Sequence, residues 1–193
     1  MSTALSARYV PLEDFLEMQP EQGVYLEWWR GVVFRGMSGG TAEHARLIAR
    51  LAVVLSSLAG HDCTPYASAD VWVDAAQFYG QADAYLVCGA LKLLQVQKHG
   101  KNLGEALTNP IVVVEVLSPS TESRDRGVKL EAYKQLVSLE DYVLISQKER
   151  RVEVHHRIDG EWTSEVATGN GSVTIHGKLV TLDALYGAPP PVS

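Results

Sequence analysis

A chain of 193 residues, 46% hydrophobic and 21% charged, has the length and mixture of one ordinary globular domain with a good core. Its formal net charge of −6 argues against a broad basic face for indiscriminate nucleic-acid binding, but leaves room for a local basic groove or for acids that await a cation. The chain opens on no basic-then-apolar leader and no apolar run reaches spanning length, so the expectation is a cytoplasmic protein with no membrane partner.

Residues 1–9 carry no strong signal. Leu12, Phe15 and Leu16 at helical spacing, with Pro11 in the first turn, predict a short docked helix. Val24 to Trp29 and Val32 to Arg35 are apolar runs joined by Arg30-Gly31, a hairpin signal. Within it Glu27 either faces solvent or points along the sheet toward a shared site. Ser38-Gly39-Gly40 breaks the chain. Thr41 then opens a helix to about Leu58, with Leu47, Ile48, Leu51, Val54, Leu55 and Leu58 as one apolar stripe and Gly60 beyond its end. His44, in the first turn on the inward side, reads as a packed or capping residue or as a supporting group of a site. Arg46 and Arg50 read as a solvated pair.

Ala67 to Val73 alternates and predicts a strand; Ala75 to Gly80 predicts a turn. Gln81 to Cys88 predicts another strand with Asp83 at its mouth, a turn residue or a site acid. Gly89 to Thr108 is polar and reads as a loop or irregular helix, with Lys92, Lys98, His99 and Lys101 as a basic cluster, solvated or facing phosphates. Cys63 and Cys88 lack metal-ligand spacing and are expected as small, reduced core residues.

The segment from Asn109 to Tyr133 is the most informative. Ile111 to Val114 and Val116 form a β-branched run that reads as a strand buried on both faces, with Glu115 inside it. A carboxylate there is expensive unless something pairs with it. Ser118-Pro119-Ser120-Thr121 breaks the run, and Glu122 to Val137 predicts a helix capped by Ser120 or Thr121. Lys129 and Tyr133 are four apart and share one face of that helix. Leu139 to Ile145, Arg151 to Arg157 and Glu161 to Val166 follow as strands, with Asp159-Gly160 as a hairpin turn. His155 and His156 are adjacent in a strand, face opposite sides and cannot ligate one metal together. Ser172 to Ile175 and Leu179 to Thr181 are short closing strands, and Leu182 to Tyr186 is a last helical turn. The domain is expected to be single over 1–193, with a core of about 11–167 and an irregular tail over 187–193.

Asp83 and Glu115 on adjacent strand ends, with a nearby backbone carbonyl, are hard oxygen donors of the kind Mg2+ takes. A lysine beside such a site orients or deprotonates an attacking water, or neutralises phosphate charge. Acid, acid and lysine at one metal are what phosphodiester hydrolysis needs.

The same residues carry a family resemblance. In order come Leu12-Glu13-Asp14-Phe15, the Glu27 hairpin from Tyr25 to Phe34, Glu43-His44 opening a long helix, Gln81-Ala82-Asp83, and Asn109-Pro110 through the EVLSPST run to Asp125, Lys129 and Tyr133. Over about Pro11 to Ile145 the chain resembles the Uma-type restriction-endonuclease family of the PD-(D/E)XK nuclease superfamily. The resemblance implies an α/β (α+β) restriction-endonuclease-like fold: a central mixed β-sheet flanked by helices, to which the N-terminal hairpin and a C-terminal antiparallel extension are added. It implies a metal-dependent endonuclease acting on DNA with Mg2+ or Mn2+ and no organic cofactor. Asp83 matches the aspartate of the PD half, where Ala82 replaces the proline. Glu115 matches the acid of the (D/E)XK half, where Leu117 replaces the lysine and Lys129 on the following helix substitutes. Glu27 matches an acid of the first hairpin. The implied metal set is Asp83, Glu115 and the backbone carbonyl of Val116; Asp83, Glu115, Lys129 and Glu27 are the implied catalytic residues, with Tyr133 and His44 supporting. The resemblance implies a homodimer, and Trp28 and Trp29 are candidate interface aromatics by their residue type. The rival expectations are a catalytically inactive relative serving as a nucleic-acid-binding or protein-interaction domain, and a hydrolase of some other phosphate ester.

Overall fold

Residues 3–4, 8–37 and 41–187 are described by the computed structural model; Ser38-Gly39-Gly40 and the tail from 188 onward lie outside the described residues. In chain order the first elements are β1 (Thr3–Ala4), α1 (Leu12–Leu16), β2 (Val24–Trp29), β3 (Val32–Met37) and α2 (Ala42–Ala59). The β2–β3 turn places Arg30 at φ 50 and Gly31 at φ 85, the pair of left-handed positions that a two-residue hairpin demands. A Cβ on Gly31 would also run into the Tyr9 ring. At the start of α2 the Thr41 side chain accepts the His44 N–H, which satisfies one of the donors a helix leaves open. The predicted stripe is what buries: Leu47, Leu51, Val54, Leu55 and Leu58.

The elements that follow are β4 (Cys63–Ala67), β5 (Asp70–Val73), β6 (Phe78–Gln81), β7 (Ala84–Cys88), β8 (Leu93–Lys98), β9 (Lys101–Leu107) and β10 (Val112–Leu117). Next come α3 (Glu122–Arg124), a π-helical turn (Asp125–Lys129) and α4 (Leu130–Tyr133). The chain closes with β11 (Asp141–Ser146), β12 (Arg151–Ile158), β13 (Glu161–Thr168), β14 (Ser172–Ile175), β15 (Lys178–Thr181) and α5 (Leu182–Tyr186). Two large sheets result. One runs β1-β3-β2-β6-β5-β9-β8 and the other β13-β12-β11-β10-β7-β4, with β14-β15 as a separate hairpin. In the second sheet β10 and β11 are parallel and the remaining pairs antiparallel. The crossover that a parallel pair requires is the helical segment from Glu122 to Tyr133.

The parity of β10 explains its unbroken apolar run. Val112, Val114 and Val116 pack with Leu47, Leu51 and Leu55 of α2. Val113 and Leu117 pack with Tyr133, Leu139 and Tyr142 on the opposite face. Each such side chain contributes roughly 1.5–3 kcal/mol by leaving water, and Glu115 falls on the same face as Val113 and Leu117. Among the described residues no helix is long and apolar enough to cross a membrane.

Several expectations are corrected. The helix expected through Val137 contains a π turn and ends at Tyr133, and Val137 is 95% exposed. Arg157 ends it: its guanidinium donates to the carbonyls of Lys134, Leu136 (2.8 Å) and Val137 (3.0 Å), taking up acceptors that a longer helix would have used. The expected strand over Ala67 to Val73 is two strands, broken where Ser68 takes φ 51. Gln81 to Cys88 is likewise split, with Ala82 and Asp83 in the step between β6 and β7. The supposed loop from Gly89 to Thr108 is a hairpin whose turn is His99-Gly100, at φ 50 and 76. Its Lys98 is bound to Asp14 and Glu17, an intramolecular clasp that ties the hairpin to α1 and the residue after it. Trp28 is 2% exposed and therefore a core residue that offers nothing to an interface. Cys63 and Cys88 do pack against the core, but they are joined as a disulfide rather than reduced. The β4–β7 register sets them directly opposite each other, which a sequence separation of 25 does not disclose.

Candidate active site

The β7–β10 ladder builds the site. Val112 pairs with Leu86, Val113 with Tyr85 and Val114 with Ala84, so the next step sets Glu115 level with Asp83. Asp83 is held there by its own backbone and side chain. Its carbonyl accepts the Ser68 N–H at 3.2 Å, and its Oδ2 accepts the Val116 N–H at 2.7 Å. Its Oδ1 lies 3.4 Å from Nε2 of His44, which the first turn of α2 delivers from the other side. The hydrogen bond and charge of Asp83 raise the His44 pKa above its ordinary value, against the opposing effect of burial.

Behind this half-open pair is a dry group of charges. The crossover brings Lys129 inward, with Nζ 2.6 Å from Glu115 Oε1 and 2.7 Å from the Gln81 carbonyl. The same ammonium lies 3.4 Å from Glu27 Oε1 and 3.5 Å from Asp125 Oδ1. Asp125 and Lys129 are four apart, at the two ends of the π turn, and both are buried; such turns occur often at functional sites. Glu27 has a second cation: Arg124 Nη2 is 2.8 Å from its Oε2, and that guanidinium lies 4.0 Å from the Phe34 ring centre. Gly80 makes room for Glu27, since a Cβ there would lie 3.0 Å from Oε1 and would strike the Phe78 ring.

The electrostatics follow from burial and from acids outnumbering bases. Burial pushes the Glu115 carboxyl well above the usual carboxylate range, and the Lys129 charge offsets part of that. Asp125 is raised for the same reason. Burial alone would lower the Lys129 pKa, but Glu115, Glu27 and Asp125 outweigh it and hold Lys129 firmly as an ammonium. Glu115 Oε1 is paired directly with that ammonium.

Asp83, Glu115, Val116, Lys129, Asp125 and His44 line one cavity of about 610 Å3, together with Tyr25, Gln147 and the hydroxyls of Ser118, Ser120 and Thr121. Its wall offers three carboxylates, Asp83, Glu115 and Asp125, and a main-chain segment at Val116, an oxygen donor set that fits a hard divalent cation. Of the anticipated residues, Asp83, Glu115, Val116, Lys129 and His44 meet at this cavity. Glu27 does not line it but stands behind Lys129 as an anchor. Tyr133 is fully buried, edge-to-face with Phe78 and tilted against Tyr142 with centroids 5.5 and 5.6 Å away, and cannot touch a phosphate. Sequence reasoning missed the parts that Arg124 and Asp125 play. The i,i+4 spacing of Asp125 and Lys129 was an available signal for the second; nothing in the spacing announces that Arg124 meets Glu27.

Comparison with known proteins bears on this geometry. A family model described as "Uma2: Putative restriction endonuclease" matches residues 12–183. The chain is 30% identical over 154 residues to the uncharacterized protein slr1290 of Synechocystis sp., covering 78% of this chain and 76% of that one. It is 24% identical over 164 residues to the uncharacterized protein sll1609 of the same organism, covering 84% and 89%. Among solved structures it is similar to a putative nuclease belonging to DUF820 from Anabaena variabilis, with a TM-score of 0.71 and 14% identity over 92% of this chain and 97% of that one.

Proposed function

The chain belongs to the Uma2 family, and from that premise we propose that it is a divalent-metal-dependent endonuclease that hydrolyses phosphodiester bonds in DNA. The observation that carries the reading is the convergence of Asp83, Glu115 and Lys129 on one cavity from the β6–β7 step, β10 and the crossover helix. Asp83, Glu115 and the Val116 carbonyl would hold Mg2+ or Mn2+, which when bound supplies Lewis-acid polarisation of a phosphoryl oxygen and acidifies a water. Lys129 acts as a fixed positive charge. Its three carboxylate neighbours keep it protonated, so it stabilises negative charge developing on the phosphate rather than abstracting a proton. Glu27 and Asp125 hold that ammonium in place, and Arg124 keeps Glu27 from being an uncompensated buried charge. Ser118, Ser120 and Thr121 at the cavity wall are neutral hydroxyl donors for a phosphodiester backbone.

The test is cleavage of supercoiled plasmid and single-stranded DNA with Mg2+, Mn2+ or chelator. Metal-dependent nicking that Glu115→Gln abolishes is the expected result; nicking that persists undiminished in Glu115→Gln contradicts the assignment. One observation favours a second reading, a non-catalytic nucleic-acid-binding or protein-interaction relative. Lys129 Nζ is already committed to Glu115 and the Gln81 carbonyl. That reading requires that the protein bind no Mn2+ at Asp83 and Glu115.

A further inference from the structure

The far end of the β4–β7 ladder carries a second cluster. Counting along β7 from Asp83 to Cys88 at about 3.3 Å per residue, it lies roughly 17 Å from the acid–lysine cavity, and none of its residues lines that cavity. Cys63 and Cys88 are direct partners in the antiparallel register, so both sulfurs project from one face of the sheet. His176 arrives from the β14–β15 turn, with Nε2 3.9 Å from Cys63 Sγ. The three ligand atoms all lie within 4.8 Å of one another, and each residue is only partly buried.

The histidine is held for this position. In the two-residue turn His176-Gly177, His176 takes φ 49, where asparagine or glycine is the ordinary choice. Its backbone N–H donates to Asp141 Oδ2 at 2.6 Å, which fixes the turn against the sheet. Its Nδ1 lies 3.3 Å from Glu140 Oε2. A carboxylate on Nδ1 retains the proton there and leaves the Nε2 lone pair facing the sulfurs, the arrangement that carboxylates impose on metal-binding histidines.

We propose that Cys63, Cys88 and His176 form a zinc-type soft-metal site when the disulfide is reduced, with the fourth position open to water. Reduction by a phosphine consumes one water: the phosphine becomes its oxide and the two sulfurs become thiols. Each thiol then gives up its proton as the cation binds, so two protons are released per ion. The bonded sulfurs of the disulfide have no thiolate to offer, so the disulfide and the metal exclude each other. Metal–sulfur and metal–nitrogen lengths of about 2.3 and 2.0 Å at a tetrahedral centre imply an S···N separation of about 3.5 Å. The 3.9 Å observed between Cys63 and His176 needs a small closure, while the two sulfurs, bonded in the oxidised protein, must separate to about 3.8 Å once reduced. Two thiolates and an imidazole select a soft or borderline cation, whereas the oxygen donors at Asp83 and Glu115 select a hard one.

The test uses the full chain reduced with a phosphine, stripped with chelator, and titrated with Co2+ as a spectroscopic stand-in for zinc. One equivalent should produce a thiolate-to-cobalt charge-transfer band that Zn2+ then abolishes. The oxidised protein and Cys88→Ser should give no such band. His176→Asn, whose side chain tolerates the left-handed turn, should fold and bind at least about tenfold more weakly, and Glu140→Gln about tenfold more weakly. Asp83→Asn should leave the band unchanged, so failure here is distinct from failure of the nuclease reading. A reduced wild-type protein without the band overturns the proposal. So does a band of undiminished affinity in His176→Asn whose fold is verified by circular dichroism.

Discussion

Glu115 and Asp141 sit on neighbouring parallel strands, near opposite ends of the ladder, and are equally hidden, at 4% and 5% exposure. Burial therefore does not distinguish them; bonding does. Asp141 gives one oxygen to His156 Nδ1 at 2.7 Å and the other to the His176 N–H at 2.6 Å, tying β12 and the β14–β15 turn to β11. Glu115 shares one ammonium with two other carboxylates and faces a cavity. Leaving a buried acceptor unpaired costs free energy, and Asp141 avoids that cost by bonding within the scaffold. Depth therefore does not separate the two: Asp141 has both oxygens bonded within the scaffold, whereas Glu115 shares its cation and fronts the cavity.

The most severe way to strain that contrast is Lys129→Met. It leaves Glu27, Glu115 and Asp125 buried without their shared cation, and should cost about 3–5 kcal/mol in urea unfolding while abolishing cleavage. Asp141→Ala comes next. Losing two charge-assisted bonds should cost about 2–3 kcal/mol, yet leave DNA cleavage per folded molecule unchanged; collapse of cleavage in a folded Asp141→Ala protein would erase the distinction. Glu115→Gln should show the reverse pattern, with stability altered by less than about 1 kcal/mol because it relieves an excess of buried negative charge, and cleavage lost.

In bonding, Asp70 lies between these two acids, partly buried with one hydroxyl donor. Burial raises its pKa, and the single hydrogen bond from the Tyr79 hydroxyl at 2.9 Å pulls it partly back. With the folded pKa raised above 3.8, its contribution to stability is fully present below pH 3.8 and is lost as pH rises through the folded value. Asp70→Asn should therefore be slightly the more stable protein at pH 7, with the difference vanishing below pH 3.8. Denaturant midpoints measured across that range check the sign.

Much of this was legible in the sequence where a period was repeated. The α2 stripe, the β2–β3 and β12–β13 hairpins and the doubly buried β10 followed from spacing alone, because one face or both had to be apolar. Asp83, Glu115 and Lys129 were legible as a trio from their positions at strand mouths and on the crossover helix, and the family resemblance named them together. What escaped depends on contacts distant in sequence. Arg124 meets Glu27 across 97 positions, Arg157 truncates a helix from a strand two elements on, and Cys63 finds Cys88 only through strand register. The β8–β9 hairpin was missed because its strands are largely exposed and polar, so the alternation that marks a half-buried strand is faint.

Mn2+ binding to the oxidised protein, followed through the paramagnetic signal of free Mn2+, tests the central contrast most directly. The wild type and Asp141→Ala should each bind the ion, and Asp83→Asn and Glu115→Gln should bind it far more weakly. Undiminished binding in Asp83→Asn and Glu115→Gln would contradict the account, because these cavity carboxylates would then not be the ones that hold the metal.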